Sequence, residues 1–252
     1  MKRSVFKHLC EQLNEQKDIE RVAAENDLDR ELILVLYTQK TVRHATKRFY
    51  KVKHRARNLL KRWNDGESFL SLARELSFPP ILTAYLILLE NNITRKKFWE
   101  YVKNPERIRD NRLRKDISEI VTKDIVYSPE GNELQYERGK MGEKRLCDWL
   151  DKQNLKYRTE DQLKGQYSKT PDALLSKPIK INGMSIHWIE SKASFGDDIE
   201  VRRNTKRQLK AYTEMFGEGM VVYWFGFIEG VHCPKSVLVV DSSYFDKDLD
   251  SA

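Results

Sequence analysis

Asp172 follows Thr170-Pro171, and eighteen residues later Glu190 and Lys192 stand two apart in the apolar stretch Trp188-Ile189-Glu190-Ser191-Lys192. In a strand, residues i and i+2 share a face about 7 Å apart. Glu190 and Lys192 therefore point one way, and Ile189 and Ser191 the other. A second strand carrying Asp172 beside them would bring two carboxylates and one ammonium together. Such a set suits a hard divalent cation and the phosphate that it polarises. A surface Glu/Lys pair on an edge strand satisfies the same spacing, so the neighbouring elements must decide.

Those elements are readable in the second half of the chain. Met141, Leu146, Trp149 and Leu150 mark a helix with one apolar face. Glu143 lies in its first turns near Gly139 and Gly142, which let another backbone or a ligand approach closely; alternatively it only complements the helix dipole. Short β segments follow at residues 156–158, 171–175, 180–181 and 184–193. Asn182-Gly183 is a strong hairpin-turn signal, making the segment before it and the Glu190 strand antiparallel neighbours. Residues 203–216 read as a helix. Residues 220–228 (MVVYWFGFI) read as a strand covered on both faces, and 237–240 as a last strand. The order is α, three β, α, β and one further β: a mixed central sheet flanked by helices.

The first half differs in charge and composition. The chain has 252 residues, 33% charged and 40% hydrophobic, with a net charge of +8. Residues 1–125 hold 27 Lys+Arg against 18 Asp+Glu, while 126–252 hold 19 against 20. Ten of the eleven glycines lie after residue 125. The periodicity before that point is helical throughout, so the expected fold is α + α/β, with a helical domain over 1–125, a linker over 126–137 and an α/β domain from 138 to 252. Ile19, Val22 and Ala23 precede the turn Asn26-Asp27-Leu28-Asp29, whose last aspartate suits an N-cap. Phe69 to Leu76, Pro79-Pro80 and the run after them repeat the pattern. Both have the length of helix-turn-helix units.

Residues 40–62 hold Lys40, Arg43, Lys47, Arg48, Lys51, Lys53, Arg55, Arg57, Lys61 and Arg62, with Phe49 and Tyr50 interleaved and no acid. A solvated helix gains from opposite charges at i,i+4, and this one forgoes them. The run favours phosphate contacts, which give affinity through counterion release. Arg202, Arg203, Lys206 and Arg207 put four more positive charges at a helix start. No run approaches the roughly 18 apolar residues of a membrane span, and no apolar signal segment opens the chain, so no membrane partner is expected. Cys10, Cys147 and Cys233 have no paired spacing and read as reduced, with no zinc site.

Arg138-Gly139-x-x-x-Glu143, Pro171-Asp172 and Glu190-x-Lys192, in that order around an αβββαβ core, resemble the PD-(D/E)xK nuclease superfamily. The first helix is similar to that of archaeal Holliday junction resolvases. The strings Lys169-Thr170-Pro171-Asp172, His187-Trp188-Ile189-Glu190-Ser191-Lys192-Ala193-Ser194-Phe195-Gly196-Asp197 and Val222-Tyr223-Trp224-Phe225-Gly226-Phe227-Ile228 resemble the TPD family within it. The resemblance implies a restriction-endonuclease-like core and a metal site of Asp172, Glu190 and Glu143. It also implies Lys192 beside the attacking water, and in some branches a Q-x-x-x-Y element that Gln208 and Tyr212 match. Oxygen ligands with no Cys or His among them favour Mg²⁺ or Mn²⁺ over zinc.

The expected function is thus a Mg²⁺-dependent nuclease hydrolysing phosphodiester bonds in DNA, branched DNA included. Its expected catalytic residues are Glu143, Asp172, Glu190, Lys192 and Gln208. Lys40, Arg43, Lys47, Arg48, Lys51, Lys53, Arg55, Arg57, Arg203 and Lys206 would hold the nucleic acid. The alternatives are a non-cutting nucleic-acid-binding adaptor of the same fold and an RNA-directed nuclease. Junction cutting would go with a homodimer. The expected location is cytoplasmic, or nuclear in a eukaryotic source.

Overall fold

A computed structural model describes residues 1–246. In chain order its elements are α1 (Arg3–Gln12), α2 (Asp18–Asn26), α3 (Arg30–Asn64), α4 (Phe69–Leu76), α5 (Pro80–Glu90), α6 (Arg95–Lys103), a 3₁₀ turn (Pro105–Arg107), α7 (Asn111–Lys123) and α8 (Pro129–Lys152). Then come β1 (Tyr157–Thr159), α9 (Glu160–Leu163), β2 (Ala173–Ile181), β3 (Met184–Lys192), α10 (Asp198–Asn204), a π turn (Thr205–Leu209), α11 (Lys210–Phe216), β4 (Gly219–Tyr223), β5 (Val237–Asp241) and a 3₁₀ turn (Ser242–Asp246).

The five strands lie in sequence order in one sheet. β1, β2 and β3 pair antiparallel, and β3, β4 and β5 pair parallel. This is the expected mixed sheet in an α+β fold. Asn182 and Gly183 take φ of 49° and 81° and close the β2–β3 hairpin, the left-handed pair such a turn requires. The two β segments expected at 171–175 and 180–181 are one strand, with its register shifted between Leu174 and Ile179.

Side-chain alternation divides the sheet into two cores. On one face Leu146, Trp149 and Leu150 of α8 pack on Ala173, Ile189, Met220 and Val222. On the other, Val201, Leu209 and Tyr212 pack on Leu174, Trp188, Val221 and Tyr223. Every residue of β4 is buried, as a central strand demands.

That strand is shorter than expected. β4 stops at Tyr223, where the Gly226 N–H closes a turn onto the Tyr223 carbonyl (2.9 Å) and Gly226 takes φ of 85°. The apolar run continues past the strand because Trp224, Phe227 and Ile228 fill packing sites beyond it. The helix expected over 203–216 begins earlier, at Asp198, where Asp197 accepts hydrogen bonds from the Ile199 and Glu200 N–H groups (3.0 and 2.9 Å).

The compact units are cut differently from the division read at 125 and 138. Met1–Leu36 packs with the described part of Glu137–Ala252, and Tyr37–Tyr136 forms the second unit. In the first unit the Phe6 ring stacks on Phe195 at 5.3 Å, Arg3 forms a bidentate pair with Asp198, and Arg138 bonds Glu31 at 3.0 Å. These contacts join residues far apart in sequence, which local periodicity does not report. Of the linker expected over 126–137 only the turn before Pro129 is non-helical. The rest is the start of α8, which Pro129 opens, where its missing N–H costs nothing.

The second unit has its own core, with Val52, Leu59, Phe69, Ile81, Ile87, Phe98, Ile117 and Ile120. Trp63 donates its indole N–H to the buried Asp116 at 2.7 Å. The expected Asp29 cap is present, accepting from the Glu31 N–H at 2.9 Å. The helix that it opens is 35 residues long. α4 and α5 meet at 113°, an angle suited to a helix-turn-helix. However, α5 buries Ile81, Ala84, Leu86, Ile87 and Leu88 and keeps no polar face for a groove. Among the described residues no single helix is long and apolar enough to cross a membrane.

Candidate functional site

Pairing between β2 and β3 sets Ala173 opposite Ile189. One further step in that register brings Asp172 across from Glu190, and the hydrogen bonds agree. The Ser191 N–H donates to Asp172 Oδ2 at 2.7 Å, and the Asp172 N–H to Glu190 Oε2 at 3.3 Å. Glu190, Lys192 and Trp188 share the face covered by α10 and α11. The Lys192 ammonium bonds Glu190 Oε1, and Gln208 Nε2 donates to the same oxygen at 3.0 Å. Gln208 sits within the π turn, a bulge of the kind often found at functional sites. Its amide also lies 3.3 Å from the Tyr212 hydroxyl, which donates to the Thr170 carbonyl at 2.7 Å. A chain of hydrogen bonds therefore runs from the backbone before Pro171 to the carboxylate of Glu190.

The electrostatics are those of crowded acids. Glu190 is 2% exposed. Burial raises its pKa, against the lowering effect of Lys192. Burial, and then the charge of Glu190, raise Asp172 to about 8, with Glu143 adding a smaller push in the same direction. Burial raises Tyr212 as well, so its phenol remains a neutral donor.

Glu143 arrives from α8, on the opposite face of the sheet. Gly142 explains how the helix comes so close: a Cβ there would lie 2.5 Å from Trp224 Nε1 and 3.1 Å from Ser191 Oγ. Gly139 has nothing within 4 Å of such an atom, so only one of the two glycines serves close approach. Glu143 itself bonds Lys140 at 2.8 Å in an exposed pair. Among the described residues no three His, Cys, Asp or Glu side chains are gathered as a metal-holding set. Asp172 and Glu190 are brought together, and Glu143 is near but engaged elsewhere. An exposed pair such as Lys140–Glu143 contributes about 0.2–1 kcal/mol, a small barrier to its turning inward. The two joined carboxylates fit a hard cation by donor type and by the repulsion that a cation would relieve.

Trp224 is a positioning residue that sequence reading missed. Its indole N–H donates to Ser191 Oγ at 2.7 Å, and the Arg145 guanidinium lies 4.9 Å from its ring. Ser191 in turn holds Asp172 through its backbone. Nothing in the apolar run around Trp224 signals this role.

The expected nucleic-acid residues divide into two kinds. Ala45, Val52, Ala56, Leu59 and Trp63 form the buried stripe of α3. Arg62 bonds both Glu67 and Glu75, and Arg55 reaches Glu75 at 3.5 Å, so the run is less unpaired than its sequence suggests. Arg48 lies 3.4 Å from His44, and Lys40 and Arg43 also have partners. Lys47, Lys51, Lys53 and Arg57 are exposed and carry no ion pair or hydrogen bond among the described residues. Near the π turn, Lys206 is exposed, while Arg203 pairs with Glu200 at 2.6 Å.

Residues 109–243 match the family described as "Protein of unknown function TPD sequence-motif". The chain belongs to the TPD family. The same TPD chain is 33% identical to the CDAN1-interacting nuclease 1 of Mus musculus over 188 residues, covering 71% of the chain and 67% of that relative. It is 36% identical to the Homo sapiens protein of that name over 174 residues, covering 66% and 62%. For the Danio rerio protein the identity is 35% over 190 residues, covering 72% and 63%. The TPD chain thus spans about two thirds of these relatives' length. No solved structure matches it.

Proposed function

We propose that this TPD chain is a nuclease of the PD-(D/E)xK type that hydrolyses phosphodiester bonds in DNA, branched DNA included, with Mg²⁺ or Mn²⁺. One observation carries the reading. Two acids, Asp172 and Glu190, are held side by side with their pKa values raised, and a lysine lies on one of them. Like charges crowded in this way disfavour ionisation, which suits a site that a cation completes. The nuclease named in the relatives supports the same reaction class.

In this reading Asp172 and Glu190 would hold the metal, and Glu143, now paired with Lys140, would be the third carboxylate available to it. The bound ion would neutralise phosphate charge and acidify water. The Lys192 ammonium orients the attacking water or bonds a nonbridging oxygen as negative charge builds. Gln208 and Tyr212 fix the Glu190 carboxylate in its rotamer. Lys206 near the site, and the free cations of α3, hold the phosphate backbone.

The test incubates the protein with linear, single-stranded and branched DNA, and with RNA, in Mg²⁺ or Mn²⁺, beside Asp172→Ala and Lys192→Ala. Metal-dependent cleavage lost in both variants supports the proposal. Equal cleavage by all three proteins removes these residues from the site. Tight, salt-sensitive binding without cleavage in either metal makes the chain a non-cutting adaptor.

A further inference from the structure

The aromatic residues within the basic run meet different fates. Trp63 is buried against Phe69 and Asp116, and Phe49 packs on the core of its unit. Tyr50 is 72% exposed, the ring of Phe49 meeting it edge-on at 5.7 Å. At 100° per residue, Tyr50 stands opposite the buried stripe of Ala45, Val52, Ala56, Leu59 and Trp63. Around it on that face, by helical position, are Lys47, Lys51, Lys53, His54, Arg57 and Lys61. Lys47 to Lys61 spans about 21 Å of helix. His44, at the near end, has its pKa lowered by burial and then by Arg48, Lys40 and Lys47.

Duplex DNA offers this face phosphates and, in its grooves, base edges, but no base faces, its bases being stacked on one another. Phosphate contacts need cations and leave no use for a large exposed ring at their centre. A single strand offers both phosphates and the faces of unpaired bases, and a positive surface carrying an aromatic platform matches that pair of features. We propose that this face of α3 binds a single-stranded polynucleotide, with one base stacked on Tyr50 and the adjoining phosphates held by Lys47, Lys51, Lys53 and Arg57. This deepens the nuclease reading by naming the strand state that the helical unit selects, and it rests on that reading's polyanionic substrate.

Binding separates the two claims when it is measured on the full chain carrying Asp172→Ala in EDTA, so that cutting plays no part. Fluorescence anisotropy with labelled single-stranded DNA, its abasic equivalent, single-stranded RNA and duplex DNA gives the affinities. Tyr50→Ala should weaken single-strand binding about 5- to 150-fold, with Tyr50→Phe retaining it. Tyr50→Ala should leave duplex and abasic binding nearly unchanged. A Lys51→Ala, Lys53→Ala pair should lower the salt slope on the single strand by about 1.4, whereas Tyr50→Ala should not move it. DNA and RNA strands bound alike place the selection in base faces and phosphates, not in the sugar. If single strands bind and Tyr50→Ala changes nothing, or weakens duplex equally, the stacking platform is refuted and the nuclease reading stands. If no polynucleotide binds, the platform is refuted, and the cleavage test with Mg²⁺ or Mn²⁺ decides the nuclease reading separately.

Discussion

Replacing Asp172 by Asn should make the protein more stable while removing its proposed activity. Asp172 ionises near 3.8 when free and is raised to about 8 in the folded chain, chiefly by burial and then by Glu190. A carboxyl raised in this way binds its proton more tightly folded than unfolded. Its favourable contribution is therefore complete below about pH 4 and is lost as pH rises towards 8. At pH 7 the interval is about three units, which at 1.36 kcal/mol per unit sets a ceiling of roughly 4 kcal/mol. The true figure lies below that ceiling, because Asp172 is partly open to water. Asn removes the charge and keeps an oxygen to accept the Ser191 N–H. Half the ceiling would raise Tm by about 4–8 °C. Thermal melts in EDTA from pH 5 to 8, for both proteins, read the effect: the gain should grow with pH. An Asn variant less stable than wild type at pH 8, or a gain that shrinks with rising pH, would refute the account of the site as two crowded acids. Mg²⁺ should then raise Tm in the wild type and less in the variant, by linkage of binding to folding.

Other substitutions probe the supports. Gly142→Ala drives a methyl into Trp224 and should cost about 1–3 kcal/mol. Gly139→Ala, with open space around it, should be neutral or stabilise by up to about 1 kcal/mol through helix propensity; paired denaturant titrations compare the two. Gln208→Leu removes the donor to Glu190 and should lower kcat roughly 10- to 100-fold in a cleavage assay. DNA affinity should hold in that variant, and a parallel loss of affinity would mean that Gln208 touches substrate instead. Trp63→Phe leaves Asp116 without its indole donor and should cost about 1–3 kcal/mol, read as a lower urea midpoint.

Local signals in this chain were legible wherever one residue type forces one backbone state. Asn182-Gly183 gave the hairpin, Asp29 gave a helix start, and the parity of Glu190 and Lys192 placed both on one face. Hydrophobicity alone overextended β4, because it registers the apolarity of the run and not the turn that Gly226 closes onto Tyr223. Spacing identified Gly139 and Gly142 equally, and only the neighbouring side chains separate them. The three-acid set rested on the family resemblance. Glu143 comes from the far face of the sheet and has a lysine partner, a competition that no motif contains. The basic run concealed two of its arginines' partners, Glu67 and Glu75, because both acids lie beyond its end.

The split of the first unit bears on the order in which the chain folds. Residues 37–136 are contiguous and can form their core as soon as they are made. Residues 1–36 must wait for a sheet encoded a hundred residues later, and closing so long a loop is entropically slow. In the interval the apolar faces of α1 and α2 have no sheet to cover. Pulsed hydrogen exchange should show Tyr37–Tyr136 protected first, and Met1–Leu36 gaining protection only together with the strands. A fragment that begins at residue 138 would carry the acids and the lysine, yet lack the helix whose Arg3 and Phe6 secure Asp198 and Phe195 just beyond Lys192. The proposed cutting unit is thus assembled from both ends of the described chain, and it is complete only after the last strand has been synthesised.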